Sequence, residues 1–161
     1  PAVGGGVRGP QPRRAQIHPG GAALIDGVTA ANDELAAGSI AALKADKVSP
    51  LPPVTGQDAE LAAVRRIVGG DQYMTVYKPF EPEAAAGGAM AVAAARGRPL
   101  DEVATGRVKT RGGADVPAVL LTPVSVTLAT VKNTLVKDGV YTIGQICAPP
   151  LARDCHRAGL T

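Results

Sequence analysis

Three polar residues with complementary hydrogen-bonding chemistry follow three short apolar segments of this chain. Asn32 lies near the end of IDGVTAAND, Asp58 ends PPVTGQD, and Lys78 lies near the end of YMTVYKP. Asparagine both donates and accepts hydrogen bonds, ionised aspartate only accepts, and lysine only donates. Neighbouring hydroxyl groups need donors and acceptors together, so this set could bind a ligand rich in hydroxyls through charge-assisted hydrogen bonds.

Each of these segments is followed by a helical pattern. ELAAGSIAALKADK follows the first, AELAAVRRIVGG the second, and an alanine-rich stretch at about residues 83–95 the third. Strands that alternate with helices predict an α/β fold of three layers, with a mainly parallel sheet and helices on both faces. Such sheets bind ligands beyond the carboxyl ends of their strands, where Asn32, Asp58 and Lys78 would line one rim.

The two ends of the chain have a different pattern. Residues 1–23 are rich in Gly, Pro and Arg and are predicted to be a poorly ordered leader. Their GGGVRG run follows no predicted strand, so it is weak support for a phosphate loop. Residues 103–128 read as extended chain with a turn at Gly112–Gly113. Short helices are expected at 129–139 and in the tail, where Pro149–Pro150 interrupts the pattern.

A structural role competes with the binding role at each of the three polar positions. Asparagine or aspartate between a strand and a helix usually caps the helix, and a lysine before a proline is usually solvated. Asp33 could cap the first helix and leave Asn32 to a ligand. The residue pattern alone leaves these alternatives open.

Composition argues against several classes of function. The chain has 17 basic and 14 acidic residues, and three of the basic ones, Arg8, Arg13 and Arg14, lie before residue 21. Neither a basic face nor interleaved aromatics is seen, so no nucleic-acid partner is predicted. No apolar run reaches the roughly 18 residues of a membrane span. His18 and His156 are far apart, and no nucleophile elbow is present, so we predict no metal, no cofactor and no enzyme.

The same residues carry a family resemblance that covers about residues 25–160. The block VTGQDAELAAVRRIVGGDQYMTVYKP closely resembles one in periplasmic sugar-binding proteins of the xylose-binding class, which serve ABC importers. DGVTAANDELAAGSIAALK and VPAVLLTPVSVTLATVKNTLVKDGVYTIGQIC are similar to flanking segments of that family. The resemblance implies a type I periplasmic binding protein fold. It further implies that residues 24–161 are the C-terminal lobe, with a hinge-crossing segment at about 106–130 and the N-terminal lobe missing.

The resemblance also implies a set of ligand-binding residues. The family's ligands in this lobe are the Asn of AAND, the Asp of GQD and the Lys of YKP, which fall on Asn32, Asp58 and Lys78. Glu34 stands where the family usually has glycine, which changes the rim of the site.

The expected role is that of a receptor outside the cytoplasm. The resemblance implies binding of a xylose-like aldopentose or aldohexose and delivery to the permease subunits of an ABC importer. It implies a periplasmic or extracellular location, including attachment to the membrane through a lipoprotein N-terminus. One lobe by itself is expected to bind sugar weakly, because closure of two lobes completes the hydrogen bonds. It is also expected to self-associate through the surface that the other lobe would cover.

Cys147 and Cys155 are eight residues apart. Because the family is exported, a disulfide is favoured over two free buried thiols.

Two alternative functions stay open at this point. One is the effector-sensing domain of a LacI-type transcription regulator, which would need a helix-turn-helix that residues 1–24 do not offer. The other is an α/β enzyme that uses Lys78 to form a Schiff base.

Overall fold

A computed structural model describes residues 25–161. The leader, the GGGVRG run and His18 lie outside the described residues. The described chain forms two compact units: the first runs up to Val76 and resumes at Ser125, and the second is Tyr77–Val124. The predicted limits of one lobe at 24–161, with a hinge segment at 106–130, stay a prediction.

Short strands alternate with helices along the chain. In order, the elements are β1 (Val28–Thr29), α1 (Asp33–Ala45), β2 (Val54–Thr55), α2 (Leu61–Val68), β3 (Met74–Tyr77), α3 (Phe80–Ala95), β4 (Gly106–Lys109), β5 (Asp115–Ala118), β6 (Val124–Thr127), α4 (Ile143–Ile146) and α5 (Ala152–Arg157). Four strands form one sheet in the order β1-β2-β3-β6, and the pairs β1–β2 and β2–β3 are parallel. The predicted α/β fold with a mainly parallel sheet is confirmed.

Helix α1 buries one face of small and aliphatic side chains. Ala36, Ile40 and Leu43 recur at spacings of three and four residues and pack with Val54 of β2 in a buried cluster. The acidic residues of its first turn and Lys44 in its last turn complement the helix dipole. The packing sets α1 against the strands whose ends carry the candidate site.

Helix α2 continues the pattern after β2. Ala63, Val64, Ile67 and Val68 are buried, and the helix ends at two glycines. Gly70 has a φ of +83°, a left-handed conformation that glycine adopts without steric cost. Of the periodic apolar residues that predict this helix, the fold buries Val64, Ile67 and Val68, whereas Leu61 is half-buried.

The C-terminal segment of the first unit is tied to α2. The Arg65 guanidinium donates to the Gln145 carbonyl oxygen from Nε at 3.1 Å and from Nη2 at 2.6 Å. Cys147 and Cys155 form a disulfide with their Cα atoms 5.8 Å apart, and Cys155 is buried. The bond joins the end of α4 to α5, on either side of Pro149–Pro150.

The second unit contains α3 and a hairpin. Strands β4 and β5 pair antiparallel from Gly106–Ala118 to Lys109–Asp115, and the turn contains Gly113 with a φ of +82°. The turn predicted at Gly112–Gly113 is confirmed. Several large apolar side chains of this unit are exposed: Phe80, Val92, Val108, Val116 and Leu120. Self-association through such a surface stays a prediction.

Two helix predictions need correction. The third helix begins at Phe80 rather than near Glu83, because Pro82 lies in its first turn, where a missing N–H breaks no helical bond. The stretch 129–139 contains a five-residue π-helical turn, Lys132–Val136, instead of a regular α-helix. Leu135, within this turn, is buried.

Reduction of the disulfide should destabilise the first unit. The bond closes a loop with a sequence separation of eight, for which loss of the cross-link is expected to lower the free energy of unfolding by about 2–3 kcal/mol. Urea denaturation with and without dithiothreitol measures this difference. The double variant C147S/C155S should behave like the reduced protein and should not respond to the reductant. A thiol assay that finds two free thiols in unfolded, unreduced protein would contradict the assignment.

Candidate functional site

Asn32 follows β1 and caps helix α1. Its Oδ1 accepts a hydrogen bond from the backbone N–H of Leu35 at 2.9 Å, and its φ of −152° is extended. The structure thus decides between the two capping alternatives: Asn32 is the cap and Asp33 is not. The cap occupies only the oxygen of the amide, so the Nδ2 hydrogens of this half-buried residue are not used by it.

Asp33 points into the protein instead and is fully buried. Its Oδ1 accepts from Gln72 Nε2 at 2.9 Å. Its Oδ2 accepts from Thr75 Oγ1 at 2.9 Å and from the backbone N–H of Glu60 at 3.0 Å. The Arg66 guanidinium donates hydrogen bonds from Nη2 to the Asp33 carbonyl oxygen and from Nε to Gln72 Oε1. We call Asp33, Gln72 and Thr75 the buried polar cluster.

Asp58 follows β2 in a left-handed turn. Asp58 has a φ of +99° and Ala59 a φ of +52°, and neither is a glycine. A non-glycine residue in such a conformation costs about 1–3 kcal/mol, so the surrounding contacts must hold it. The backbone N–H of Asp58 donates to the carbonyl of Val76 at 2.9 Å, which keeps the turn beside the end of β3.

Asn32 and Asp58 belong to neighbouring loops of the first unit. They follow β1 and β2, which are parallel partners in the sheet. The backbone N–H of Asp33 donates to the Gln57 carbonyl at 2.9 Å, so the residues next to both side chains are hydrogen-bonded to each other. The structure therefore brings an amide and a carboxylate to one edge of the sheet, as their strand-end positions predict.

Lys78 belongs to the second unit, so its position relative to Asn32 and Asp58 stays a prediction. It follows β3 and is half-buried. Within its own unit it lines a cavity of about 340 Å³ between the start of α3 and the segment before β6. Other residues that line this cavity are Pro79, Glu83, Met90, Leu120 and Leu121.

Burial raises the pKa values of two groups beside the turn. Burial raises the pKa of Glu60 above its ordinary 4.5, and the negative charges of Asp33 and Glu34 raise it further. Burial also raises the pKa of Tyr141, whose hydroxyl donates to the Ala59 carbonyl at 3.0 Å. The edge around Asp58 is therefore acidic and partly shielded from water.

Sequence reasoning missed the residues that support the site. It considered Asp33 only as a cap, and it did not single out Gln72, Thr75 or Tyr141 for any role. One signal was present: Thr75 lies inside the apolar strand MTVY, where a buried polar side chain needs a hydrogen-bond partner.

For the described residues no group of three or more His, Cys, Asp or Glu could hold a metal ion. None of the helices described is long and apolar enough to cross a membrane.

A family model described as the periplasmic binding protein domain matches residues 15–99, just over half of the chain. The chain belongs to the periplasmic binding protein family. The D-xylose-binding periplasmic protein of Escherichia coli strain K12 is 41% identical over 117 residues, which are 73% of this chain and 34% of that protein. The chain thus spans about a third of the length of the curated relatives it matches.

Solved structures of periplasmic binding proteins agree with this fold. A carbohydrate transporter solute binding protein from Chloroflexus aurantiacus, in complex with D-glucose, has a TM-score of 0.65 and 34% identity. That match covers 74% of this chain and 34% of the other. An ABC transporter solute binding protein from Clostridium phytofermentans, with bound β-D-glucose, has a TM-score of 0.61 and 30% identity over 71% of this chain and 35% of its own.

These matches settle the fold at the family level. The fold is that of the type I periplasmic binding proteins, as the resemblance implied. The prediction of a binding protein rather than an enzyme is confirmed by the relatives, whose names describe binding proteins.

Glu60 should make the stability of this periplasmic binding domain fall as the pH rises above 4.5. Its pKa is higher in the folded than in the unfolded state, so the folded protein holds the proton longer and ionisation disfavours it. This loss begins near pH 4.5 and is complete above the raised pKa. Replacement by glutamine, E60Q, removes the effect and keeps the backbone bond to Asp33.

Urea denaturation of the wild-type protein and E60Q at a series of pH values tests this. The advantage of E60Q should grow as the pH rises through the window above 4.5 and stay constant at higher pH. E81Q, a change at an exposed glutamate of α3, serves as the control and should show no such trend. An E60Q variant whose advantage shrinks with rising pH would contradict the assignment.

Gly56 should not tolerate a larger residue. A Cβ at this position would overlap Asp33 Oδ1 and lie 2.8 Å from Gln72 Nε2. G56A is therefore expected to lower the free energy of unfolding by about 1–3 kcal/mol, as overpacking does in other cores. The matched control is G38A in α1, where no atom beyond the neighbouring residues and backbone of the helix itself lies within 4 Å of the added methyl group. G38A should instead raise stability by up to about 1 kcal/mol, and chemical denaturation compares the two.

Proposed function

We propose that this chain recognises a monosaccharide, a xylose-like aldopentose or aldohexose, as part of the substrate-binding component of an ABC sugar importer. The observation that carries the proposal is the placement of Asn32 and Asp58 on adjacent, hydrogen-bonded loops at the carboxyl edge of a parallel sheet. The names of the relatives support it, since they describe a D-xylose-binding protein and solute binding proteins with bound glucose.

The chemistry of the two side chains suits adjacent sugar hydroxyls. The Nδ2 group of Asn32 can donate to one hydroxyl while its Oδ1 caps α1. A carboxylate has about four lone-pair sites, so Asp58 can accept from ligand hydroxyls in addition to its contacts within the protein. A sugar without the matching hydroxyl would leave one of these groups unpaired, which gives the site its selectivity.

We include Lys78 as the third ligand of the sugar. Its support is the resemblance of the YKP motif to that of the family and its position directly after β3. Its ammonium group has three donors, so it can bind a hydroxyl oxygen beside its contacts in the protein. The cavity it lines within the second unit is mostly apolar.

The proposed setting is outside the cytoplasm. Relatives described as periplasmic proteins and as transporter solute binding proteins support a periplasmic or extracellular location and delivery to the permease subunits of an importer. Attachment through a lipoprotein N-terminus stays a prediction. The same relatives favour the receptor over the LacI-type regulator, because their names describe transport and binding.

Sugar binding by this chain should be saturable but weak. We expect D-xylose in millimolar concentrations to shift the backbone amide signals around Asn32 and Asp58 in ¹⁵N-labelled protein. Two side chains supply few hydrogen bonds, and net gains of about 0.5–1.5 kcal/mol at the neutral Asn32 and about 1.5–3 kcal/mol at the charged Asp58 give affinity in the millimolar range or weaker. Calorimetry should therefore detect no binding of a pentose or hexose, and micromolar affinity would contradict this expectation.

Matched variants locate the site. D58N keeps the size of the side chain but removes its charge and one acceptor oxygen, and it should abolish the saturable shifts. D71N removes a carboxylate that precedes β3, at the opposite end of the sheet, where it pairs with Lys44. D71N should bind xylose like the wild-type protein. If no pentose or hexose shifts the signals around Asn32 and Asp58 of the wild-type chain, the proposal is wrong.

A further inference from the structure

The turn at Asp58–Ala59 holds a conformation that its own residues disfavour. Both residues have a positive φ, and a Cβ atom makes this region unfavourable for each of them. The backbone conformation fixes the direction of the Cα–Cβ bond. The conformation of this turn therefore sets the direction in which the Asp58 side chain leaves the backbone. Whatever holds the turn therefore determines where that carboxylate can reach.

Three side chains hold the two residues after Asp58. Thr75 Oγ1 accepts from the Ala59 N–H at 3.1 Å. Asp33 Oδ2 accepts from the Glu60 N–H at 3.0 Å. The Tyr141 hydroxyl donates to the Ala59 carbonyl at 3.0 Å. The side chains come from β3, from the start of α1 and from the segment before α4, so distant parts of the first unit meet at this turn.

Asp33 acts on the turn in two ways. It accepts the Glu60 N–H directly, and it also accepts the hydroxyl proton of Thr75 at 2.9 Å. An ionised carboxylate can only accept, so it directs the single hydroxyl proton of Thr75 toward itself. The oxygen of Thr75 then presents a lone pair to the Ala59 N–H. The charge of Asp33 thereby orients the acceptor for the neighbouring amide.

We propose that Asp33 and Thr75 are positioning residues that hold the Asp58 carboxylate in place for the sugar before the sugar arrives. This inference rests on the proposed function, because it assigns its purpose to the sugar ligand Asp58. A turn that is already ordered does not have to be ordered on binding, which raises the affinity of a small site. Without the Thr75 acceptor, Asp58 and Ala59 should relax to negative φ values.

A general structural role predicts a different result. A buried threonine that only stabilises the core would, when replaced, weaken every part of the first unit alike. A positioning role predicts a local change at residues 58–60 while α1 and β2 keep their structure. The two roles are therefore separated by measurements on individual residues.

The test compares threonine variants of the full chain by NMR. T75V removes the hydroxyl and keeps the shape, T75S restores the hydroxyl, and T55V is a matched change on the adjacent strand β2. A positive φ gives a strong cross-peak between the amide and α protons of the same residue. Wild type, T75S and T55V should show it at Asp58 and Ala59, and T75V should lose it. Amide exchange at Ala59 and Glu60 should become about tenfold faster in T75V.

Amides of α1 provide the internal reference. Exchange at Ile40 and Leu43, which lie in the apolar cluster between α1 and β2, should change little in T75V. If T75V keeps both cross-peaks, or if exchange rises equally at Ile40 and Glu60, the positioning role is wrong. Y141F, compared with Y73F at an exposed tyrosine, tests the third contact by the same cross-peak at Ala59.

A titration with D-xylose separates this inference from the proposed function. If T75V loses the turn and also loses the xylose-induced shifts of the wild-type protein, both stand. If T75V loses the turn but binds xylose as the wild type does, the turn does not position a sugar ligand and the inference is wrong. If the wild-type chain has the turn but shows no response to any sugar, the proposed function fails, although the contacts that hold the turn are verified.

Discussion

The carboxylate of Asp33 is the contact on which the candidate site depends. A buried charge is strongly unfavourable unless its oxygens are filled by hydrogen bonds. Here the donors come from Gln72, Thr75 and the backbone of Glu60, so the start of α1, the β2–α2 turn and β3 meet at one group. Within residues 25–161 no buried side-chain nitrogen or oxygen lacks a hydrogen-bond partner. The polar cluster is thus complete before any ligand is considered.

This arrangement divides two roles between adjacent residues. Asn32 lies at the protein edge and caps α1 with one atom of its amide, whereas Asp33 turns inward and binds the neighbouring loops. The same constraint explains Gly56, because a side chain there would occupy the space of the Asp33 and Gln72 atoms. The sequence AAND therefore combines the half-buried cap of α1, Asn32, with a buried carboxylate, Asp33, that accepts from the backbone N–H of Glu60 two residues after Asp58.

Patterns along the chain predict the fold better than they predict the site. Apolar spacing locates α1 and α2 because most of the residues that repeat become buried, such as Ile40 and Ile67, although Leu35 is exposed. Strand-end position likewise predicts that Asn32 and Asp58 lie on neighbouring loops. The buried polar cluster could not be predicted, because Asp33 and Thr75 are 42 residues apart in sequence and meet only through the pairing of strands. The left-handed turn has only a weak sequence signal, because neither Asp58 nor Ala59 is a glycine, although aspartate adopts positive φ more readily than most residues.

An ordered turn would explain how the few side chains of the proposed sugar site could be selective. A carboxylate next to a mobile turn would adopt many directions, and a sugar would have to order it in order to bind. Here the hydrogen bonds of Thr75, Asp33 and Tyr141 already fix the backbone beside Asp58. The strain of two positive φ values is offset by contacts within the protein. Under the proposed function, ligand hydrogen bonds would add to a formed surface, so the amide of Asn32 and the carboxylate of Asp58 would distinguish hydroxyl patterns even at low overall affinity.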